Sequence, residues 1–144
     1  MELCDQLELL EDTIVALLKK ADLGVNTVIL GDRCRVNELR PPTIWVLPAD
    51  SSLEWSGLGE MWKYRFVVAA VVESKDVRKG HRKANKIAAN ASAALVKSRN
   101  LDGTVRNVKR VEYLPGDTGG MNADQLHSAG YTMEAEFRYL EQEA

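Results

Sequence analysis

Residues 60–101 read EMWKYRFVVAAVVESKDVRKGHRKANKIAANASAALVKSRNL. Every even position from 62 to 72 is apolar or aromatic, so these side chains project to one face of a strand. The odd positions begin charged at Lys63 and Arg65 and become apolar from Val67 onward. A strand whose second face turns apolar along its length is typical of the centre of a sheet. We therefore predict a central strand over residues 61–72.

The pattern changes to a helical period after Glu73, which predicts a long helix over residues 76–98. Asp76 stands where an N-cap or a first-turn acid would stabilise the helix start. One side of this helix is apolar and rich in alanine. The opposite side carries five basic residues, Arg78, Lys79, Arg82, Lys83 and Lys86.

The remaining chain predicts one more helix and several strands. An apolar stripe with acids in its first turns and Lys19-Lys20 in its last predicts a helix over residues 2–21, which Gly24 closes. The strands are predicted at residues 25–30, 43–47, 101–114 and 129–140. An irregularity is expected near Asn107, and residues 115–126 read as a loop.

This order of elements predicts an α+β fold. We expect a mixed, mostly antiparallel sheet with the two main helices packed on one face. The chain has 144 residues, which suits a single domain spanning residues 1–144.

The charges are divided unevenly along the chain. Residues 75–110 hold eleven Lys or Arg and two Asp or Glu, a balance of +9, so a net charge of −2 leaves −11 for the rest. The first eighteen residues hold five acids and no base. A molecule with one basic and one acidic region can attract copies of itself head to tail.

The environment of the chain is also constrained by its sequence. Cys4 and Cys34 match no motif, which favours a reducing, intracellular setting. No stretch approaches the roughly 20 apolar residues that span a bilayer. The first residues lack the pattern of a signal peptide, so we expect no membrane partner.

Catalytic, cofactor and metal sites are not predicted. His81 and His127, with the two cysteines, lack the paired spacing of a zinc site. The glycine-rich segments lack the signatures of dinucleotide and phosphate loops. Glu134 and Glu136 share a strand face, and solvated carboxylates are the simpler interpretation. We therefore predict no catalytic residue, no cofactor and no metal.

Two segments remain as candidate interfaces. The basic face of helix 76–98 could contact an acidic protein surface or phosphates, or it could simply be solvated. Residues 49–59 read as a loop or a hairpin connection that contains Leu53, Trp55 and Leu58. Such side chains are unusual in a solvent loop. Either the segment folds back on the domain or, as we favour, it presents these side chains to a partner.

The succession of parts resembles the tail-terminator, or tail-completion, proteins of long-tailed phages, the minor tail protein family that includes the phage lambda terminator. The resemblance rests on Trp-x-Leu-Pro at residues 45–48, Val-Val-Glu-Ser-Lys-Asp at 71–76, and the alanine-rich helix that follows. It also includes Ser-Arg-Asn-Leu-Asp-Gly-Thr-Val at residues 98–105. It covers nearly the whole chain and is architectural.

The resemblance implies a structural virion protein without catalytic residues. Members assemble as a ring, commonly a hexamer, that caps the tail tube, stops its polymerisation and meets the head connector. The implied partners are other copies, the tail tube protein and the head–tail connector protein, with DNA only through the pore. The implied location is the virion tail, assembled in the host cytoplasm. A head–tail joining (neck) protein, a nucleic-acid-binding module using helix 76–98, and a small enzyme remain alternatives.

Overall fold

The computed structural model describes residues 2–31, 41–49, 52–56, 59–98, 101, 103, 105–115 and 126–139. Two helices and six strands follow one another along the chain. They are α1 (Leu3–Lys20), β1 (Thr27–Leu30), β2 (Thr43–Pro48), β3 (Ser52–Ser56), β4 (Gly59–Glu73), α2 (Val77–Lys97), β5 (Asn107–Leu114) and β6 (Leu126–Tyr139).

The strands form one mixed sheet in the order β1-β2-β4-β6-β5, and β3 pairs with the first part of β4. Among the pairings of the described residues, only that of β1 with β2 is parallel. The predicted α+β class, the mostly antiparallel sheet and the central position of β4 are confirmed. β4 pairs with β6 from Glu60 to Glu73, so this long antiparallel pair forms the centre of the sheet.

Both helices pack on the same face of the sheet, as predicted. The even positions of β4 from Tyr64 to Val72 are buried there, together with Met133, Ala135 and Phe137 of β6. α1 contributes Leu10, Ile14 and Leu18 to the same cluster. α2 lies over β4 and β6, whereas α1 contacts β1 and α2. α2 is therefore nearer the β5 side of the sheet, and α1 is nearer the β1 side.

α2 approaches the sheet through small residues, because Gly80, Ala84, Ala88 and Ala91 are all buried on its inner side. A Cβ atom added at Gly80 would overlap the ring of His127. The start of α2 is fixed by Asp76, whose side chain accepts a hydrogen bond from the Lys79 backbone N–H at 3.1 Å. The predicted N-cap is thus confirmed.

α1 is anchored differently. The Tyr64 hydroxyl donates a hydrogen bond to the Glu11 carboxylate at 3.0 Å, which joins α1 to β4. Burial raises the pKa of the Tyr64 phenol, and the Glu11 charge and hydrogen bond raise it further. The expected closure of the helix by Gly24 is wrong: the chain becomes extended at Ala21, the C-cap, and Gly24 lies three residues beyond it.

Two further expectations need correction. The irregularity predicted near Asn107 is a register shift between Arg110 and Glu112 in the middle of β5. β6 begins at Leu126 rather than Ala129, because Leu126 and His127 already pair with Glu73 and Val72 of β4. Residues that the sequence assigned to the end of a loop therefore belong to the sheet.

Candidate interaction surfaces

The basic face of α2 is where the sequence placed it. Its five cationic side chains are all exposed: Arg78, Lys79, Arg82, Lys83 and Lys86. Within the described residues none of them forms an ion pair. Because Gly80, Ala84 and Ala88 take the inner side, the helical period turns these cations outward. The result is a positively charged surface without local neutralisation.

The basic surface continues from α2 onto β5, which sequence reasoning did not anticipate residue by residue. Arg110 donates from Nε to the Ser92 hydroxyl of α2 at 2.7 Å. Its guanidinium lies 5.6 Å from the centre of the Tyr131 ring, within cation–π range. Arg106 is also exposed, whereas Lys109 projects to the opposite sheet face, where it lies near Glu134. The sequence did indicate that both elements are basic, because the excess of positive charge in residues 75–110 includes residues of α2 and of β5.

The outer face of α1 is acidic. Asp5, Glu8 and Asp12 are exposed there, and Leu9 lies among them as an exposed apolar residue. α1 is the helix on the β1 side of the sheet, whereas the basic surface lies toward β5. The uneven charge distribution along the sequence thus becomes a separation in space.

The segment predicted as a loop or a hairpin connection contains a strand, β3 (Ser52–Ser56). β3 pairs antiparallel with β4, with Leu53 opposite Trp62 and Trp55 opposite Glu60. The side chains of Leu53 and Trp55, and all of Leu58, lie outside the described residues. Their predicted contact with a partner stays a prediction.

The sheet face opposite the helices changes character along its length. Val67, Ala69, Trp45 and Leu47 are half-buried on it, and no described helix packs against them. At its other end the Arg65 Nε lies 3.2 Å from the Glu134 carboxylate, and Lys109 lies 4.0 Å from the same group.

The interpretation of Glu134 as a solvated carboxylate is therefore wrong. Its side chain is buried and lies between two cations from neighbouring strands. Alternation along β6 correctly placed Glu134 away from the helices. It could not reveal the cross-strand partners that cover this carboxylate.

His127 is a second buried polar residue of β6. Its Nε2 lies 2.9 Å from the Ser74 carbonyl. Its Nδ1 has no partner within the described residues, nor do His81 Nδ1 and Asn85 Oδ1 on one flank of α2. His127 instead contacts the start of α2 at Gly80, so its visible role is packing.

The described residues offer little that suggests chemistry. Glu2, Cys4 and Asp5 bring ligand atoms within 4.8 Å of one another, but all three are exposed at the start of α1, where acids are favoured electrostatically. A cleft of about 460 Å³ lies at the end of α1, lined by residues 18–28. A second cleft, of about 400 Å³, lies between α1 and β1. Neither gathers a set of converging titratable groups.

Comparison of this sequence with models of protein families and with curated proteins finds no match. Neither described helix has the length and apolar character needed to cross a lipid bilayer.

Proposed function

We propose that this protein is a structural component of a phage tail: a tail terminator that assembles as a ring on the end of the tail tube. The ring would stop polymerisation of the tube and provide the surface that joins the head. The observation that carries the proposal is the charge separation. The acidic outer face of α1 lies toward the β1 edge of the sheet, and the basic surface of α2 and β5 lies toward the β5 edge.

Opposite charges on opposite sides favour head-to-tail association over symmetric pairing. Such a heterologous contact produces a closed ring when its rotation returns to the start, and a filament otherwise. The α+β architecture agrees with the fold that the resemblance to tail terminators implies. Both considerations support a ring of identical subunits, commonly a hexamer in that family.

Charge alone would not hold such a ring together. An exposed ion pair contributes about 0–1 kcal/mol. Apolar contacts must therefore supply most of the affinity, and the β3–β4 hairpin with Leu53 and Trp55 is the proposed contact to the tube or the head. Charge then selects the orientation of subunits and the rate at which they meet.

Electron microscopy and sedimentation of the purified protein test the proposal directly. We expect rings with an open pore, and a shift toward smaller species as salt increases. A strict monomer at high concentration in low and high salt, with no binding to tail tubes, would contradict it. Binding to isolated tubes, with arrest of their growth, separates a terminator from a neck protein, which would bind the head connector instead.

The charge-reversal variant Lys79→Glu/Lys83→Glu tests the contribution of α2. We expect weaker assembly or weaker binding to tubes, with the fold intact, because both side chains are exposed. A matched control is Lys75→Glu/Lys97→Glu, which makes the same charge change at two exposed lysines, one just before α2 and one at its end. Equal losses in both variants would mean that only net charge matters.

One observation favours a second candidate, a module that binds single-stranded nucleic acid. The basic surface of α2 reaches β5, where Tyr113 is an exposed aromatic beside Arg110. Stacking on such a ring combined with phosphate contacts is how sequence-independent binders hold a strand. This alternative predicts that the logarithm of affinity falls linearly with the logarithm of salt concentration, and that Lys79→Ala/Arg82→Ala weakens binding.

A further inference from the structure

β5 forms an outer edge of the sheet, and no described strand pairs with its outer side. Val111 is 42% exposed and Tyr113 is 40% exposed, and both lie at or beyond the register shift. Arg106, Lys109 and Arg110 outnumber the one exposed acid of this edge, Glu112, so the edge is positive overall. A strand edge with unpaired backbone groups and exposed apolar side chains is a natural site for another chain.

The opposite side of the molecule carries complementary features. Leu9 on α1 is 44% exposed and Leu30 on β1 is 38% exposed. Between the two elements lies the cleft of about 400 Å³, whose lining is mostly apolar with one acid and one base: Asp12, Val15, Ala16, Lys19, Val28 and Leu30. Asp5, Glu8 and Asp12 give this side its negative charge.

We infer that the partner of the β5 edge is a second copy of this chain, and that the edge docks against the α1–β1 cleft of that copy. In this contact Tyr113 and Val111 lie against the cleft, while Arg106 faces the acids of α1. This assignment rests on the proposed ring and specifies which surfaces form it. It differs from a contact through the α2 face alone, because the apolar residues that supply affinity lie on β5.

A symmetric alternative is disfavoured electrostatically. Pairing two β5 edges would bring together two strands that each carry three cations, Arg106, Lys109 and Arg110, against a single acid, Glu112. Like charges brought together in an interface oppose association. Docking of unlike surfaces avoids this repulsion and leaves one free edge and one free cleft on every chain. The contact can therefore repeat from copy to copy.

Site-directed cross-linking tests the assignment. Tyr113→Cys and Leu30→Cys would be made separately and together in a background with Cys4→Ser and Cys34→Ser, then treated with a short bifunctional maleimide. We expect the double variant to give a ladder of cross-linked species ending at the ring size. A mixture of the two single variants should give only dimers that contain one of each, and neither single variant alone should cross-link.

Other outcomes separate this inference from the proposed function. Dimers of Tyr113→Cys alone, or no cross-link in a sample that light scattering shows to be fully assembled, would overturn the β5–cleft contact and leave the ring intact. A protein that stays monomeric in every condition would overturn both.

A charge exchange supplies an independent test. Arg106→Glu and Asp12→Lys should each weaken self-association by about 5- to 10-fold, since each replaces attraction with repulsion. The double variant Arg106→Glu/Asp12→Lys should recover to within about 3-fold of the unmodified protein. The control Arg106→Glu/Glu73→Lys has the same net charge, and Glu73 is exposed at the end of β4, on neither surface. Equal recovery in the control would overturn the assignment.

Discussion

The two helices cover the same sheet by different means. α1 places large side chains against the core, namely Leu10, Ile14 and Leu18. The buried side of α2 is mainly glycine and alanine, with Ile87 and Leu95 as its large residues. Their outer faces also differ, because α1 is acidic and α2 is basic. The inner difference determines which substitutions each helix tolerates, and the outer difference determines what each helix can contact. Stability and assembly can therefore be perturbed separately in this protein.

Truncation should damage α1 most. Ile14 is completely buried, so Ile14→Ala removes apolar contacts and leaves a cavity. We expect a loss of about 2–5 kcal/mol in the free energy of unfolding, measured by urea denaturation. Leu9→Ala on the exposed side of the same helix is the matched control and should change stability by less than about 0.5 kcal/mol. Similar losses from both variants would mean that α1 does not supply the core as described.

In α2 a larger side chain on the buried face should destabilise the protein, whereas in α1 a smaller one should do so. Gly80→Ala would place a methyl group against the His127 ring, and we expect a net loss of about 1–3 kcal/mol despite the better helix propensity of alanine. The double variant Gly80→Ala/His127→Ala should lose less than the sum of the two single losses, because the methyl group then has space. A more stable Gly80→Ala protein would contradict the close approach of α2 to the sheet.

The hydrogen bond from Tyr64 to Glu11 ties α1 to β4. Tyr64→Phe should cost about 1–2 kcal/mol at neutral pH, because Glu11 loses its buried donor. The pKa of Tyr64 is raised in the folded state. The contribution of the protonated Tyr64 phenol to the free energy of unfolding is therefore fully present below its unfolded-state pKa of about 10. This contribution is lost as the pH rises above that value.

Urea denaturation between pH 8 and pH 11 measures this dependence. The original protein should lose stability more steeply above about pH 10 than Tyr64→Phe does, so the difference between the two should shrink. Tyr113→Phe, at an exposed tyrosine, is the control and should keep the original slope. Parallel pH profiles for Tyr64→Phe and the original protein would contradict a stabilising role for the protonated Tyr64 phenol.

The smallest expected difference in stability between the two helices comes from the residues at their N-termini. Asp76 caps α2 through the Lys79 backbone N–H, whereas Glu2 at the start of α1 makes no side-chain cap hydrogen bond. Asp76→Ala should therefore cost about 1 kcal/mol, and Asp76→Asn less. Glu2→Ala should be close to neutral. Equal effects at the two positions would show that the cap geometry has no energetic consequence.

Periodicity predicted the elements and their orientation well, because it depends only on neighbours in sequence. The alternation in β4 and the 3.6-residue period in α2 fixed which side chains face the core. The outward position of Arg78 and Lys79 followed from that period, and Asp76 was recognisable as a cap. These features are local, so the sequence carries them directly.

Properties that depend on the neighbouring strand were not predictable in this way. Glu134 is buried because Arg65 and Lys109 lie beside it on β4 and β5. His127 is buried because β6 extends to Leu126 and brings the ring under Gly80. The parallel pairing of β1 with β2 and the bulge in β5 depend on register. The sequence of one strand does not specify which residues of the neighbouring strand lie opposite it.

The unequal edges of β4 have a consequence for motion. One edge pairs with β6 along almost the whole strand, whereas the other is shared between β2 and the short β3. Among the described pairings β3 bonds to β4 alone, so it can detach while residues 60–63 remain held by β6. Amide protons of Ser52–Ser56 should then exchange with deuterium well before those of β2. β3 can therefore separate from β4 when it contacts another surface, while the rest of the sheet stays folded.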